Sequence, residues 1–367
     1  MNKCVIASDS FKGTLSSKEI ADLFEIEFKK FFPSAHLEKV VLGDGGENTL
    51  EVFANAFPNG RYIECAVKGP NFQPIKSKYF VFDNSAVIEL AEASGLTKTI
   101  LNNPLKTTTF GVGELIKDAY LKGYRNFYIT LGGSSTNDGG CGLLSALGVK
   151  FFDEQNEDFV PVGESLNNII NIDSSSLIAK DATFIILSDV NNPMFGFNGA
   201  AHIFARQKGA TNHEIELLDN NLKYLNKLFI KISGKDVSKV PGSGAAGAAS
   251  SGMLTFLNAN ILSGIETILD LINFDNIIKN SDFVFTGEGK LDNQSFDGKL
   301  ISGVLNRTKK QNIKTICICG QNDLREIPNG TFFKVASTNC KGLTFDQIKK
   351  KASKLYSEAI AEVLKQL

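Results

Sequence analysis

The chain has 367 residues, 43% hydrophobic and 22% charged, which is more than one typical core holds and predicts two domains. Its 39 Lys+Arg against 40 Asp+Glu give a formal net charge of -1 with no long run of one sign, which excludes a nucleic-acid arm or a membrane-surface tail. The start turns polar by Ser8, too early for a signal-peptide core, and no apolar stretch reaches membrane-spanning length.

Six cysteines, at 4, 65, 141, 317, 319 and 340, form no C-x-x-C pair, so a cytoplasmic protein with reduced thiols is expected. The three histidines, at 36, 202 and 213, lack metal-ligand spacing and argue against His-based triads and His/Cys zinc sites.

Along the chain, Val5-Ile6-Ala7 predicts a strand, and Ile20, Leu23, Phe24, Phe28 and Phe31 follow at helical spacing behind a Ser16/Glu19 capping box. Val40 to Leu42 predicts a second strand, with Gly43-Asp44-Gly45-Gly46 turning into a helix that carries Leu50, Val52 and Phe53. Two successive βα units imply a parallel sheet. Tyr62 to Val67 and Tyr79 to Leu90 are strand-like without helices between them, which puts a domain boundary near residue 67.

Next come a helix near Glu114 to Leu121 ended by Gly123, strands Phe127 to Leu131 and Phe184 to Leu187, a helical stretch over 210–232, and a Gly/Ala/Ser-rich segment, Pro241 to Gly252. From Phe283 the βα rhythm returns, with strands at 283–285, 315–319 and 332–336 and a helix near Ile301 to Thr308. A last helix from Phe345 sets Ile348, Ala352, Leu355, Ala359 and Val363 on one stripe, and Cys317 and Cys319 share a buried strand face.

The expected fold is α/β: a doubly wound, Rossmann/flavodoxin-like parallel-sheet domain built from both chain ends (1–67 plus 280–367), with a second α/β domain (68–279) inserted. Ligands of such sheets sit at the carboxyl ends of the strands, where the loops below stand.

Several strand-end loops carry chemistry. Ser8-Asp9-Ser10-Phe11-Lys12-Gly13 sets a carboxylate, a hydroxyl, an ammonium and a glycine at one strand-to-helix turn, a set suited to phosphate or magnesium. Gly43 to Thr49 repeats acid and glycine at a helix start. Gly132-Gly133-Ser134-Ser135-Thr136-Asn137-Asp138-Gly139-Gly140 offers donor-rich backbone for an anion cradle. Asp189, just after a strand, is placed to accept a hydroxyl proton, and Thr286 to Asp292 puts Glu288, Lys290 and Asp292 among glycines.

Two motifs are set aside. Gly242 to Gly247 matches G-x-G-x-x-G but follows no good strand, so a closely packed Gly/Ala helix start near a nucleotide, including Gly244, is expected instead. Gly298-Lys299 fails as a P-loop because Asn293 and Leu300 break the pattern.

In order along nearly the whole chain, these loops resemble the bacterial glycerate kinase family, which phosphorylates D-glycerate with ATP. The resemblance also runs through Glu92 to Leu96, Asn103-Pro104-Leu105, Thr107 to Gly111, Asn192-Pro193 and Gln207 to Ala210. It departs at Ser8, Asn48, Lys290 and Arg206, where the family more often has Pro, Gly, Arg and Pro.

The resemblance implies two α/β domains with the active site in the inter-domain cleft, ATP and Mg²⁺ as cofactors, and phosphoglycerate as product, with 2-phosphoglycerate favoured. It implies catalytic roles for Asp189, Lys12 and Asp9. Phosphate or nucleotide contacts fall to Ser10, Gly13, Gly244 and the loop from Gly132 through Asp138. Asp44, Arg206, Lys208 and Lys290 fall to the substrate, Asp44 also being a magnesium candidate, and Glu288 and Asp292 fall to the metal. No nucleic-acid or membrane partner is expected, and a homo-oligomer stays open. An NAD-dependent oxidoreductase using Gly242 to Gly247, or a non-catalytic ligand-binding regulator of the same fold, are the alternatives.

Overall fold

A computed structural model describes residues 1–367 except Asp44, Gly45, Glu47, Asp297, Arg325, Pro328, Asn329, Asn339, Cys340 and Lys341. In chain order the strands are β1 (Lys3–Ser8), β2 (His36–Val41), β3 (Arg61–Lys68), β4 (Pro74–Phe82), β5 (Ser85–Glu89), β6 (Asn126–Thr130), β7 (Lys150–Phe152), β8 (Asp158–Phe159), β9 (Asn171–Asp173), β10 (Thr183–Leu187) and β11 (Asn260–Leu262). They continue with β12 (Phe283–Thr286), β13 (Lys290–Leu291), β14 (Lys314–Cys319), β15 (Gln321–Asn322) and β16 (Lys334–Ser337). The helices are α1 (Ser17–Phe31), α2 (Thr49–Ala56), α3 (Ala91–Ser94), α4 (Phe110–Leu121), α5 (Cys141–Ala146), α6 (Asn212–Ser233), α7 (Ala245–Phe256), α8 (Gly264–Leu271), α9 (Phe274–Ile278), α10 (Leu300–Lys310) and α11 (Phe345–Leu364).

The chain divides into two compact units, Met1–Asp44 with Ser263–Leu367, and Gly45–Leu262. The first is a five-stranded parallel sheet in the order β16-β14-β12-β1-β2. Alternate strand residues face opposite sides. Ile316 and Ile318 pack with Phe24 and Phe28 of α1 and Ile360 of α11, while Cys317 and Cys319 pack with Ile301 and Leu305 of α10. Helices therefore cover both faces, as a doubly wound sheet requires, and the Cys317/Cys319 face is core. At the start of α1, Glu19 N–H donates to Ser16 Oγ (3.2 Å) and Ser16 N–H to Glu19 Oε2 (2.8 Å), the expected capping box.

The second unit is a six-stranded sheet, β11-β10-β6-β5-β4-β3, parallel from β11 to β5 and antiparallel through β4 and β3. A three-stranded antiparallel sheet, β8-β7-β9, is added to it in sequence. The stretch read as one strand-like run, Tyr79 to Leu90, is two strands that turn at Asp83, whose φ of 45° is left-handed.

The unit boundaries fall at 44/45 and 262/263 rather than at 67 and 280. β3 pairs along its whole length with β4, and the ring of Phe53 of α2 packs tilted against those of Phe82 and Tyr128, which ties residues 49–68 to the second sheet. At the other end, Glu266 and Asp270 of α8 and Asp275 of α9 pair with Arg307 of α10, which ties 263–279 to the first.

Candidate active site

In the first unit the order in which strands are added reverses between β1, which leads to β2 on one side, and β12, from which β14 and β16 build outward on the other. Such a switch point splays the loops at the carboxyl ends of the two strands and opens a crevice between them. Here the loops are joined at their base, because Asp9 N–H and Ser8 Oγ both donate to Gly287 O at 2.9 Å.

Beyond that junction lies a cavity of about 390 Å³. Asp9, Ser10, Lys12, Glu288, Lys290 and Asp292, six residues singled out in the sequence, line it together. Gly13 adjoins it in left-handed backbone (φ 78°), beside the ring of Phe345. Its charges are uneven: Lys290 Nζ lies 2.9 Å from Asp323 and 3.6 Å from Asp292, and Asp323 holds that ammonium above the usual lysine range. Asp44 lies outside the described residues.

In the second unit the loops after β5, β6 and β10 and the start of α7 converge. Ser135 N–H and Oγ donate to Ser94 O at 2.9 and 2.8 Å, Gly139 N–H to Gly247 O at 3.0 Å, and Gly244 N–H to Asn192 O at 2.9 Å. Asp138, fully buried, accepts from Thr109 N–H and Oγ1 at 2.8 Å each, Gly140 N–H at 3.1 Å and Gly142 N–H at 3.2 Å. Burial pushes its carboxyl above the usual range, against the downward pull of those donors.

Lys208, only 2% exposed, donates to Ser134 Oγ at 2.8 Å and Thr136 O at 2.7 Å. Burial lowers its ammonium to about 7, partly countered by Asp138. The side chains of Ser135, Thr136 and Asp138 therefore hold the loop's own shape, and Gly132 and Gly133 form its half-exposed shoulder. Asn137 is also fully buried, and neither atom of its amide has a hydrogen-bond partner among the described residues.

Gly244 and Gly247 are required by close packing. A Cβ on Gly244 would stand 2.2 Å from Pro193 O, and one on Gly247 2.0 Å from Thr136 O. Ala246, Gly247 and Ala248 form a left-handed run (φ 53°, 64° and 65°) inside α7. No strand lies between Ser233 and Asn260, so this segment lacks the strand that a dinucleotide fingerprint needs. Asp189 is half-buried just after β10, and Arg206 is exposed with its guanidinium on Asn212.

The sequence model described as "Glycerate kinase family" matches residues 4–367. The chain belongs to the glycerate kinase family. A glycerate kinase of Bacillus cereus is 41% identical over 324 residues, 87% of this chain and 85% of its own length. A glycerate 2-kinase of Escherichia coli K12 is 40% identical over the same shares. A crystal structure from Salmonella typhimurium LT2, provisionally assigned as glycerate kinase 2, superposes with a TM-score of 0.87 at 35% identity and covers 100% of this chain and 98% of its own.

Two departures from the family's usual residues find a physical reason. Asn48 sits at φ 64°, a left-handed position that Asn tolerates best after Gly, and Ser8 supplies the hydroxyl that bonds Gly287 O.

Three residues escaped the sequence reading. Glu89, buried at the end of β5, accepts from Asn48 N–H (3.0 Å) and Leu50 N–H (3.4 Å), and so caps α2 from 39 to 41 residues away. Lys299 and Phe345 line the first unit's cavity. In the sequence Lys299 is visible only as part of a failed P-loop and Phe345 only as a helix start, and Glu89 leaves no trace. No helix among the described residues is long and apolar enough to cross a membrane.

Proposed function

We propose that this glycerate kinase family member transfers phosphate from ATP to D-glycerate with Mg²⁺, giving 2-phosphoglycerate, in the cytoplasm. The observation that carries the ATP assignment is the switch-point cavity, whose lysines and carboxylates suit a triphosphate and its counter-ion. Its volume falls within the range of about 300 to 1,000 Å³ usual for small-molecule sites. The 2-phosphate product is favoured because the Escherichia coli relative is a glycerate 2-kinase.

Magnesium in such sites usually binds one or two carboxylates plus phosphate oxygens and water, so Asp9, Glu288 and Asp292 fit it although the described residues form no all-protein metal cluster. When bound, it neutralises phosphate charge. Lys12 then steadies the transferring phosphoryl group with Gly132 and Gly133, and Asp189 accepts the proton of the glycerate hydroxyl. The substrate carboxylate needs a cation, and Arg206 is the exposed candidate, since its partner Asn212 is neutral whereas Lys208 is buried and Lys290 is ion-paired with Asp323.

The test is phosphorus NMR of the protein with D-glycerate, ATP and Mg²⁺. A 2-phosphoglycerate signal is expected. A 3-phosphoglycerate signal would correct the regiochemistry, and no phosphoglycerate at all would defeat the reading.

A further inference from the structure

The Gly298-Lys299 pair fails the P-loop spacing, yet the fold brings Lys299 to the same cavity as Asp9, Lys12 and Glu288. Lys299 is half-buried and forms the N-cap of α10, where no side chain among the described residues caps the helix start. Gly298 before it is left-handed (φ 75°), which turns the chain into the helix.

The three lysines of the cavity differ in what they already meet. Lys290 is neutralised by Asp323 at 2.9 Å. Lys299 Nζ donates to a neutral oxygen, Gln294 Oε1, at 3.1 Å. Among the described residues neither Lys12 nor Lys299 forms an ion pair, so two lysine charges remain for a ligand. An ammonium that leans on a neutral amide keeps its full charge and two further donors, the state of a phosphate-binding lysine. The cavity also has an apolar wall from Phe345, Ile348 and Ala352, with room for the uncharged part of a nucleotide.

We propose that Lys299, together with Lys12, binds the polyphosphate chain of the nucleoside triphosphate donor. This rests on the reading that the switch-point cavity takes the nucleotide. P-loop spacing is not needed here, because a P-loop gathers phosphate ligands on one loop, whereas this cavity gathers side chains from the ends of β1 and β12 and the start of α10.

The deciding experiment is calorimetric titration of inorganic tripolyphosphate into the wild type, Lys299→Met and Lys299→Arg, with melting temperatures for each. Loss of one charged contact should weaken binding about tenfold or more in the Met variant, with most of it restored in the Arg variant. In turnover, the KM for ATP should rise in parallel while the KM for D-glycerate stays within about twofold.

Unchanged tripolyphosphate affinity in a folded Met variant, or no tripolyphosphate binding by the wild type, would overturn the assignment. If the Met variant does not fold, Lys299→Gln takes its place under the same criterion. A wild type that binds tripolyphosphate but does not phosphorylate D-glycerate would remove the functional reading and leave the phosphate site standing.

Discussion

Two polar, glycine-rich regions that look alike as sequence behave oppositely as structure. Around the first unit's cavity, Asp9, Lys12, Glu288 and Asp292 are half-buried or exposed and line open space. In the second unit, the loop from Ser134 to Gly140 is buried, and its Asp138, Ser135 and Thr136 side chains satisfy neighbouring backbone. A string of Gly, Ser, Thr, Asn and Asp can thus face a ligand or hold itself rigid. What separates the outcomes is whether distant donors, here Thr109 and Lys208, reach in to satisfy it.

This contrast predicts activity losses without stability losses at strand-end charges, and the reverse inside the buried loop. The largest effect falls on Asp189, half-buried at a strand end: Asp189→Asn should lower kcat by about 10²- to 10⁴-fold, the usual worth of a general base, with the melting temperature nearly unmoved. Steady-state kinetics beside a melting curve checks this, and near-normal turnover would remove the base assignment.

Asp138→Ala should do the opposite, orphaning four donors in a buried site at a cost of about 3 kcal/mol or more, read as a drop in the urea midpoint. A variant as stable as wild type would show that the loop is held by other contacts.

Lys208 gives a smaller effect that depends on pH. Its folded pKa, about 7, lies below the ordinary lysine value, so between those two values the unfolded chain binds more protons than the folded one. Unfolding free energy therefore gains a positive slope with pH above about 7, and Lys208→Met lacks it. Urea titrations at neutral and alkaline pH should show the difference between the two proteins moving in favour of wild type as pH rises, and a constant difference would refute it.

The smallest effect is at Ala248, whose φ of 65° is costly for any residue with a Cβ: Ala248→Gly should stabilise by up to about 1 kcal/mol. A destabilised variant would mean that the Ala248 methyl packs for more than the strain costs.

Much of the fold was legible because it rests on long periodic segments. The strands of the parallel sheet, the Ser16/Glu19 cap and the stripe of α11 are all local patterns, and burial of Ala352, Leu355, Ala359 and Val363 bears the stripe out. β7, β8 and β9 were missed because strands of two or three residues show no periodicity. The unit boundary moved because α2 and β3 choose their sheet by aromatic packing and antiparallel pairing, neither visible in a βα rhythm.

For the site, the strand-end loops could be found because glycines and acids cluster at strand ends, and the six residues that line one cavity were named from them. The direction of each side chain could not be found that way. Whether Asp138 faces inward depends on Thr109, 29 residues away, and the Lys208 contacts span 72 and 74 residues. Lys299 was hidden for a different reason, since a motif test on spacing rejects any phosphate lysine that works outside that spacing.

The first unit's sheet also dictates an order of events during synthesis. β1 sits between β2 and β12, and the hydrogen bond from Ser8 Oγ to Gly287 O closes a separation of 279 residues. The second unit is one uninterrupted stretch, so all of its strands are available once residue 262 has left the ribosome. Until β12, β14 and β16 follow it, β1 and β2 are two strands of a five-stranded sheet, too few to be stable alone. β1, made well before β12, thus waits for its second neighbour until the middle of the chain has been made, and the apolar strand and phenylalanine-rich helix of residues 1–44 call for shielding while that middle folds.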